Sequence, residues 1–138
     1  MSAAEFLDSN VLLYAYDPKD GRKRTIAREL VKKAVKGECV ISIQVLAEVA
    51  TTLLNKVSPP LSHEAVIDIL DLLRPIPTTR PDADIVRRAV QASAQYGIHF
   101  YDGMIVAAAE RAGCRRIWSE DLNDGQEYFG VRVENPFE

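Results

Sequence analysis

The chain has 138 residues, 47% apolar and 27% charged, which allows one domain (1–138) with a real core and leaves no room for two. Its 17 Lys and Arg stand against 20 Asp and Glu, a formal charge of −3, so it is not a protein that holds nucleic acid by net charge alone. Apolar runs such as Met104 to Ala109 are far too short to span a membrane, and M-S-A-A-E-F-L-D has no basic or long apolar start, so neither membrane insertion nor a secretory signal is expected.

The elements alternate. Glu5 to Leu7 reads as a short strand leading to Asp8, and Val11 to Tyr16 as a short helix closed by the loop D-P-K-D-G. Thr25 to Val35 carries a helical apolar pattern stopped by Gly37, and the β-branched stretch Cys39 to Ile43 reads as a buried strand. Gln44 to Lys56 is helical, with Val45, Leu46, Val49, Leu53 and Leu54 inward. After the break S-P-P, Ser62 caps a helix to about Leu73, and Pro75 to Thr78 is extended. Pro81 and Asp82 open a helix to Tyr96, and the next runs from Asp102 to Ala112, ended by Gly113. Arg116 to Ser119 and Val131 to Val133 are the last strands. Strands separated by helices predict an α/β fold, a parallel sheet with helices on both faces. Ligands of such sheets sit beyond the carboxyl ends of the strands.

Four carboxylates fall at those ends. Asp8 follows the first strand, Glu48 lies a turn into the helix after the second, Asp102 opens a helix, and Asp121 follows the strand Arg116 to Ser119. Each has an ordinary explanation alone: Asp8 and Asp102 as helix caps, Glu48 on a polar stripe with Gln44, Thr51, Thr52 and Asn55, and Asp121 in a turn with Asn123, Asp124 and Gly125. Together they share one explanation. Clustered carboxylates repel, and a hard divalent cation with oxygen ligands, Mg²⁺ or Mn²⁺, relieves the repulsion. His63 and His99 share no ligand spacing with a cysteine, and Cys39 and Cys114 match no C-x-x-C pattern, so the thiols read as reduced in a cytoplasmic protein. There is no G-x-G-x-x-G, Walker loop or G-x-S-x-G elbow. A haloacid-dehalogenase-type phosphatase is disfavoured because position 10 is Asn10.

The stretches D-S-N-V-L-L-Y-A (8–15), Q-V-L-A-E-V (44–49), Y-D-G-M-I-V-A-A-A (101–109) and S-E-D-L-N-D-G-Q (119–126) resemble, in order and spacing, the acidic motifs of PIN domains, and within them the VapC-like toxins of toxin–antitoxin pairs. Ser9 stands where many relatives have threonine and keeps the hydroxyl. The resemblance covers nearly the whole chain. It implies a three-layer α/β/α fold with a central parallel sheet. It also implies a Mg²⁺- or Mn²⁺-dependent ribonuclease that leaves a 5′-phosphate and a 3′-hydroxyl. Asp8, Glu48, Asp102 and Asp121 would be its catalytic, metal-binding quartet. Ser9, Asn10 and Asp124 would support that quartet or touch phosphate, and Gly103 would leave room for metal or phosphate. A small antitoxin and a homodimer are the implied partners. A housekeeping nuclease of the same fold, or an inactive domain that binds RNA or protein, are the other readings. Between Arg22 and Lys36 stand seven cations and one anion, Glu29. The run reads either as a solvated helix face or as a contact for RNA phosphate or partner through Arg22, Arg24, Arg28 and Lys32.

Overall fold

A computed structural model describes residues 5–138. The strands are β1 (Glu5–Leu7), β2 (Cys39–Ser42), β3 (Thr78–Thr79), β4 (Arg116–Trp118), β5 (Glu127–Tyr128) and β6 (Val131–Glu134). The helices are α1 (Ser9–Tyr14), α2 (Gly21–Val35), α3 (Ile43–Asn55), α4 (His63–Leu73), α5 (Ala83–Tyr96) and α6 (Phe100–Arg111). They form one sheet in the order β3-β2-β1-β4-β6-β5. It is parallel as expected, except that β5 pairs antiparallel with β6.

The chain winds outward from β1 through β2 to β3, then returns to place β4 on the other side of β1. Right-handed crossovers in opposite directions put their helices on opposite faces. Helices α1 to α4 accordingly pack among themselves, and α5 packs with α6. The order reverses between β1 and β4, which is where such sheets open a crevice. Register carries the argument to single residues: Leu7 pairs with Trp118, and the Asp8 amide continues the ladder by donating to the Trp118 carbonyl at 3.0 Å. Asp8 and Ser119 are therefore neighbours across that crevice.

Caps set the helix starts, and they move several expected boundaries. Asp8 accepts from the Ser9 amide and starts α1 at Ser9, earlier than Val11. Asp20 accepts from the Lys23 amide and starts α2 at Gly21, so Arg22 and Arg24 are helical. Ser42 ends β2 and caps α3, which moves Ile43 from strand to helix. At α6 the cap is His99, whose Nδ1 accepts from the Tyr101 amide at 3.2 Å, and the helix starts at Phe100. Asp102 is thus inside the first turn and is not the cap.

The core explains α6. Gly103 and Ile105 through Ala109 are buried, because the sheet covers one side and α5 the other. A Cβ at Gly103 would stand 2.6 Å from the Ala89 carbonyl oxygen of α5. The glycine serves helix–helix contact, which corrects the expectation that it makes room for a ligand. Among the described residues no helix is long and apolar enough to cross a membrane.

Candidate active site

Asp8 is 4% exposed at the end of β1. Its Oδ1 accepts from the Ser9 amide at 2.7 Å and its Oδ2 from the Ser119 hydroxyl at 2.8 Å. Ser9 turns its own hydroxyl to Glu48 Oε2 at 3.0 Å, tying α1 to α3. Glu48 Oε1 accepts from Gln44 Nε2 at 2.7 Å, and the same amide donates to the Tyr101 carbonyl at 3.1 Å, tying α3 to α6. Asn10 Nδ2 donates to Asp121 Oδ2 at 3.1 Å and to Ser119 Oγ at 3.4 Å, while its Oδ1 accepts from the Glu120 amide at 3.0 Å. The Ser119 hydroxyl also accepts from the Asp121 amide at 3.1 Å. One hydrogen-bonded net thus joins the ends of β1 and β4 to α1, α3 and the first turn of α6.

The structure brings Asp8, Glu48, Asp102 and Asp121 within reach of one another's charge. Burial is the larger cause that lifts the Asp8 carboxyl from 3.8 to about 6; the hydrogen bonds from Ser119 and Ser9 oppose it, and the charges of Glu48 and Asp121 add to it. Burial also raises Asp102, with the Asp121 and Glu48 charges adding and His99 opposing. Repulsion within the group is therefore real but second to desolvation. Elsewhere acids find cations: Glu5 meets Lys33 and Arg116, Glu110 meets Arg88, Asp82 meets Arg111, and Glu120 meets Lys23. Among the described residues, none of the four site acids pairs with Lys or Arg.

Among the described residues no group of three His, Cys, Asp or Glu is already disposed to hold a metal ion. The four carboxylates are an open all-oxygen set: Asp8 is buried, Glu48 and Asp102 are half-buried and Asp121 is exposed. Mg²⁺ suits such a set, since it is held by one or two carboxylates and keeps several waters.

The remaining expected residues divide. Asp124 Oδ1 accepts from the Asn135 amide at 2.9 Å, which ties the turn after β4 to the chain after β6 rather than to the four acids. Arg22 donates to the Phe137 carbonyl, Arg28 to the Ala15 carbonyl at 3.1 Å, and exposed Lys32 meets Glu29 on the same helix at 3.1 Å. Arg24 is half-buried. Ser119 and Gln44 were not singled out from the sequence. Their only signals there are that Ser119 ends a strand beside the acid motif and that Gln44 precedes Glu48 by one helical turn.

A sequence model of the PIN domain family matches residues 6–123. No match is found among curated proteins. Solved structures of similar fold include a toxin–antitoxin complex from Klebsiella pneumoniae, at 17% identity and TM-score 0.73 over 97% of this chain and 98% of that one. DNA-bound VapBC from Salmonella typhimurium matches at 17% identity and TM-score 0.69, over 97% and 98%. VapC20 of Mycobacterium tuberculosis, a toxin that cleaves the sarcin–ricin loop, matches at 17% identity and TM-score 0.68, over 85% and 89%.

Proposed function

The chain belongs to the PIN domain family, and from that premise we propose that it is a divalent-metal-dependent endoribonuclease, the toxin of a toxin–antitoxin pair. The observation that carries the reading is the set of acids without a counter-charge at the β1–β4 crevice. Asp8, Glu48, Asp102 and Asp121 are the residues that would hold the ion. When bound, Mg²⁺ or Mn²⁺ supplies a more acidic water and neutralises charge at the phosphate under attack.

The chain's own residues do the positioning. Ser119 and the Ser9 amide fix the plane of the Asp8 carboxylate, each using one oxygen and leaving lone pairs for a ligand. Ser9 and Gln44 hold both oxygens of Glu48, so this carboxylate keeps one orientation while substrate comes and goes. Asn10 holds one oxygen, Oδ2, of Asp121, which is otherwise exposed. Asp102 is fixed through its backbone, because α6 is clamped between sheet and α5. Such pre-set carboxylates need no rearrangement as charge develops.

The similar structures that are toxins or toxin–antitoxin complexes support the toxin role and an antitoxin partner. Exposed Ile43, Ile67 and Leu72 on α3 and α4 support a homodimer, which light scattering of the purified chain reads directly.

Purified protein is expected to cleave single-stranded RNA with Mg²⁺ or Mn²⁺ and to be silent in EDTA. Asp8→Asn and Asp102→Asn should each remove most cleavage. Full activity of either variant, or of the wild type in EDTA, overturns the assignment. Cleavage also removes the reading of an inactive binding domain. Growth arrest on expression, relieved by the protein of the adjacent reading frame, separates toxin from housekeeping nuclease.

A further inference from the structure

Next to the acids lies an open groove of about 430 Å³ along α3. Gln44, Ala47, Glu48, Thr51 and Thr52 line it from that helix and Lys56 from its C-cap, and Tyr101 stands against them from α6. Tyr101 is 58% exposed, a large aromatic turned to solvent at the start of a helix whose middle is buried. Its position is held twice. Its carbonyl accepts from Gln44, the residue that also orients Glu48. Its ring is backed by the His99 ring at 5.7 Å and 26°, and the His99 side chain accepts from the Tyr101 amide. Neither the core nor the carboxylate net uses the ring itself.

We propose that this groove is a nucleotide subsite, in which the base flanking the cleaved phosphate stacks on Tyr101 and Lys56 meets the next phosphate along the strand. The inference rests on the ribonuclease reading and deepens it by naming the residues that take the nucleotide beside the cut. A base inside a duplex has no free face to offer Tyr101, whereas every unstacked base does. Lys56, which caps the end of α3, lies eight residues beyond Glu48, about 12 Å along the helix axis. That is a reach suited to a neighbouring phosphate rather than to the reacting one. The accessible wall of the groove is mainly carbon, with the Gln44 amide, the threonine hydroxyls and the Lys56 ammonium at points along it, which suits the flat face of a base with a phosphate at the Lys56 end. Exposed Tyr101 is rigid at little entropic cost, since a tyrosine has two rotatable angles and its backbone is already fixed.

The test measures binding rather than cleavage. Short single-stranded oligoribonucleotides carrying 2-aminopurine at successive positions are titrated into the Asp8→Asn protein with Mg²⁺, and into wild type with Ca²⁺ to confirm that the variant still binds. One position should show quenching in the complex. Tyr101→Ala should abolish that quenching and weaken binding about tenfold, in line with base–aromatic stacking, while Tyr101→Trp restores both. Lys56→Ala should lower the slope of log affinity against log salt by about 0.7, the loss of one phosphate contact on a single strand. Duplex RNA should bind more weakly and be indifferent to Tyr101→Ala. Unchanged affinity and fluorescence in Tyr101→Ala overturns the subsite, even where cleavage proceeds normally. Binding that depends on Tyr101 in a protein that never cleaves keeps the subsite and removes the nuclease. A chain that binds no RNA removes both.

Discussion

Asp8 is enclosed by the residues that it helps to organise: it caps α1, accepts from Ser119 and is 4% exposed. Its carboxyl is raised from 3.8 to about 6, so the folded state holds the proton more tightly than the unfolded chain does. Below about pH 4 both states are protonated and the residue costs nothing. Between about pH 4 and about 6 the unfolded chain gives up the proton that the folded protein keeps, so stability falls, and above about 6 the loss is complete. A shift of that size corresponds to on the order of 3 kcal/mol. Urea unfolding in EDTA from pH 4 to pH 7 should show the wild type losing stability relative to Asp8→Asn. Parallel curves would mean that Asp8 ionises as freely folded as unfolded. That the four acids gather at one edge of the sheet is legible in the sequence, because carboxylates at predicted strand ends and helix starts are conspicuous. Ser119 and Gln44 are not, because hydroxyls and amides are ordinary surface groups. Only the register of Leu7 with Trp118 makes Ser119 a neighbour of Asp8. Gly103 was misread for a related reason: its close neighbour, Ala89, is on another helix.

Helix α2 shows how an element can look like a binding face and act first as a strut. Lys23 pairs with Glu120 and lies over the Tyr14 and Phe137 rings, Lys33 pairs with Glu5 at 2.9 Å, and Arg22 and Arg28 hold backbone carbonyls. The cations in its middle that remain for an outside phosphate are Arg24 and Lys32, the latter sharing its charge with Glu29. Arg24→Glu with Lys32→Glu should weaken RNA binding and flatten its salt dependence by about 0.7 per lost contact, without disturbing the struts. An unchanged slope, with antitoxin affinity also unchanged, makes α2 a structural and solvated helix only. At this scale the sequence announced every helix and most strands, since apolar periodicity over ten or more residues is a strong signal. Boundaries shifted where a cap stood upstream of the apolar pattern, as Asp20 does for α2. Strand β5 was missed because it has two residues and turns back through Phe129 and Gly130, both at positive φ. Phenylalanine is not a turn residue by local preference. It is kept there by tertiary contacts: the Tyr96 hydroxyl accepts from its amide at 2.8 Å, and the Arg88 guanidinium sits 3.5 Å from its ring centroid.

For the whole molecule, the charges of Asp8 and Asp102 are a cost of folding that the ion proposed for the crevice would relieve, which would link stability to metal. Sheet ends, α1, α3 and α6 all contribute to the site, so an ion bound there favours the folded chain as a unit. At tenfold excess over its dissociation constant the ion adds about 1.4 kcal/mol. For 138 residues that corresponds to about 5 °C in Tm. Asp102 is the informative position. Burial and the Asp121 charge raise its carboxyl, and His99 rather than Asp102 caps the helix. Asp102→Asn therefore removes a disfavoured charge without removing a cap. The metal-free variant should melt higher than the metal-free wild type. The same variant should lose most of the response to Mg²⁺, because a carboxylate that served the ion is gone. Melting both proteins in EDTA and in Mg²⁺ at equal ionic strength separates this from general salt effects, which act on both alike. Equal responses to Mg²⁺ would show that Asp102 holds no ion. A variant that melts lower than wild type in EDTA would show that its charge is balanced within the folded chain.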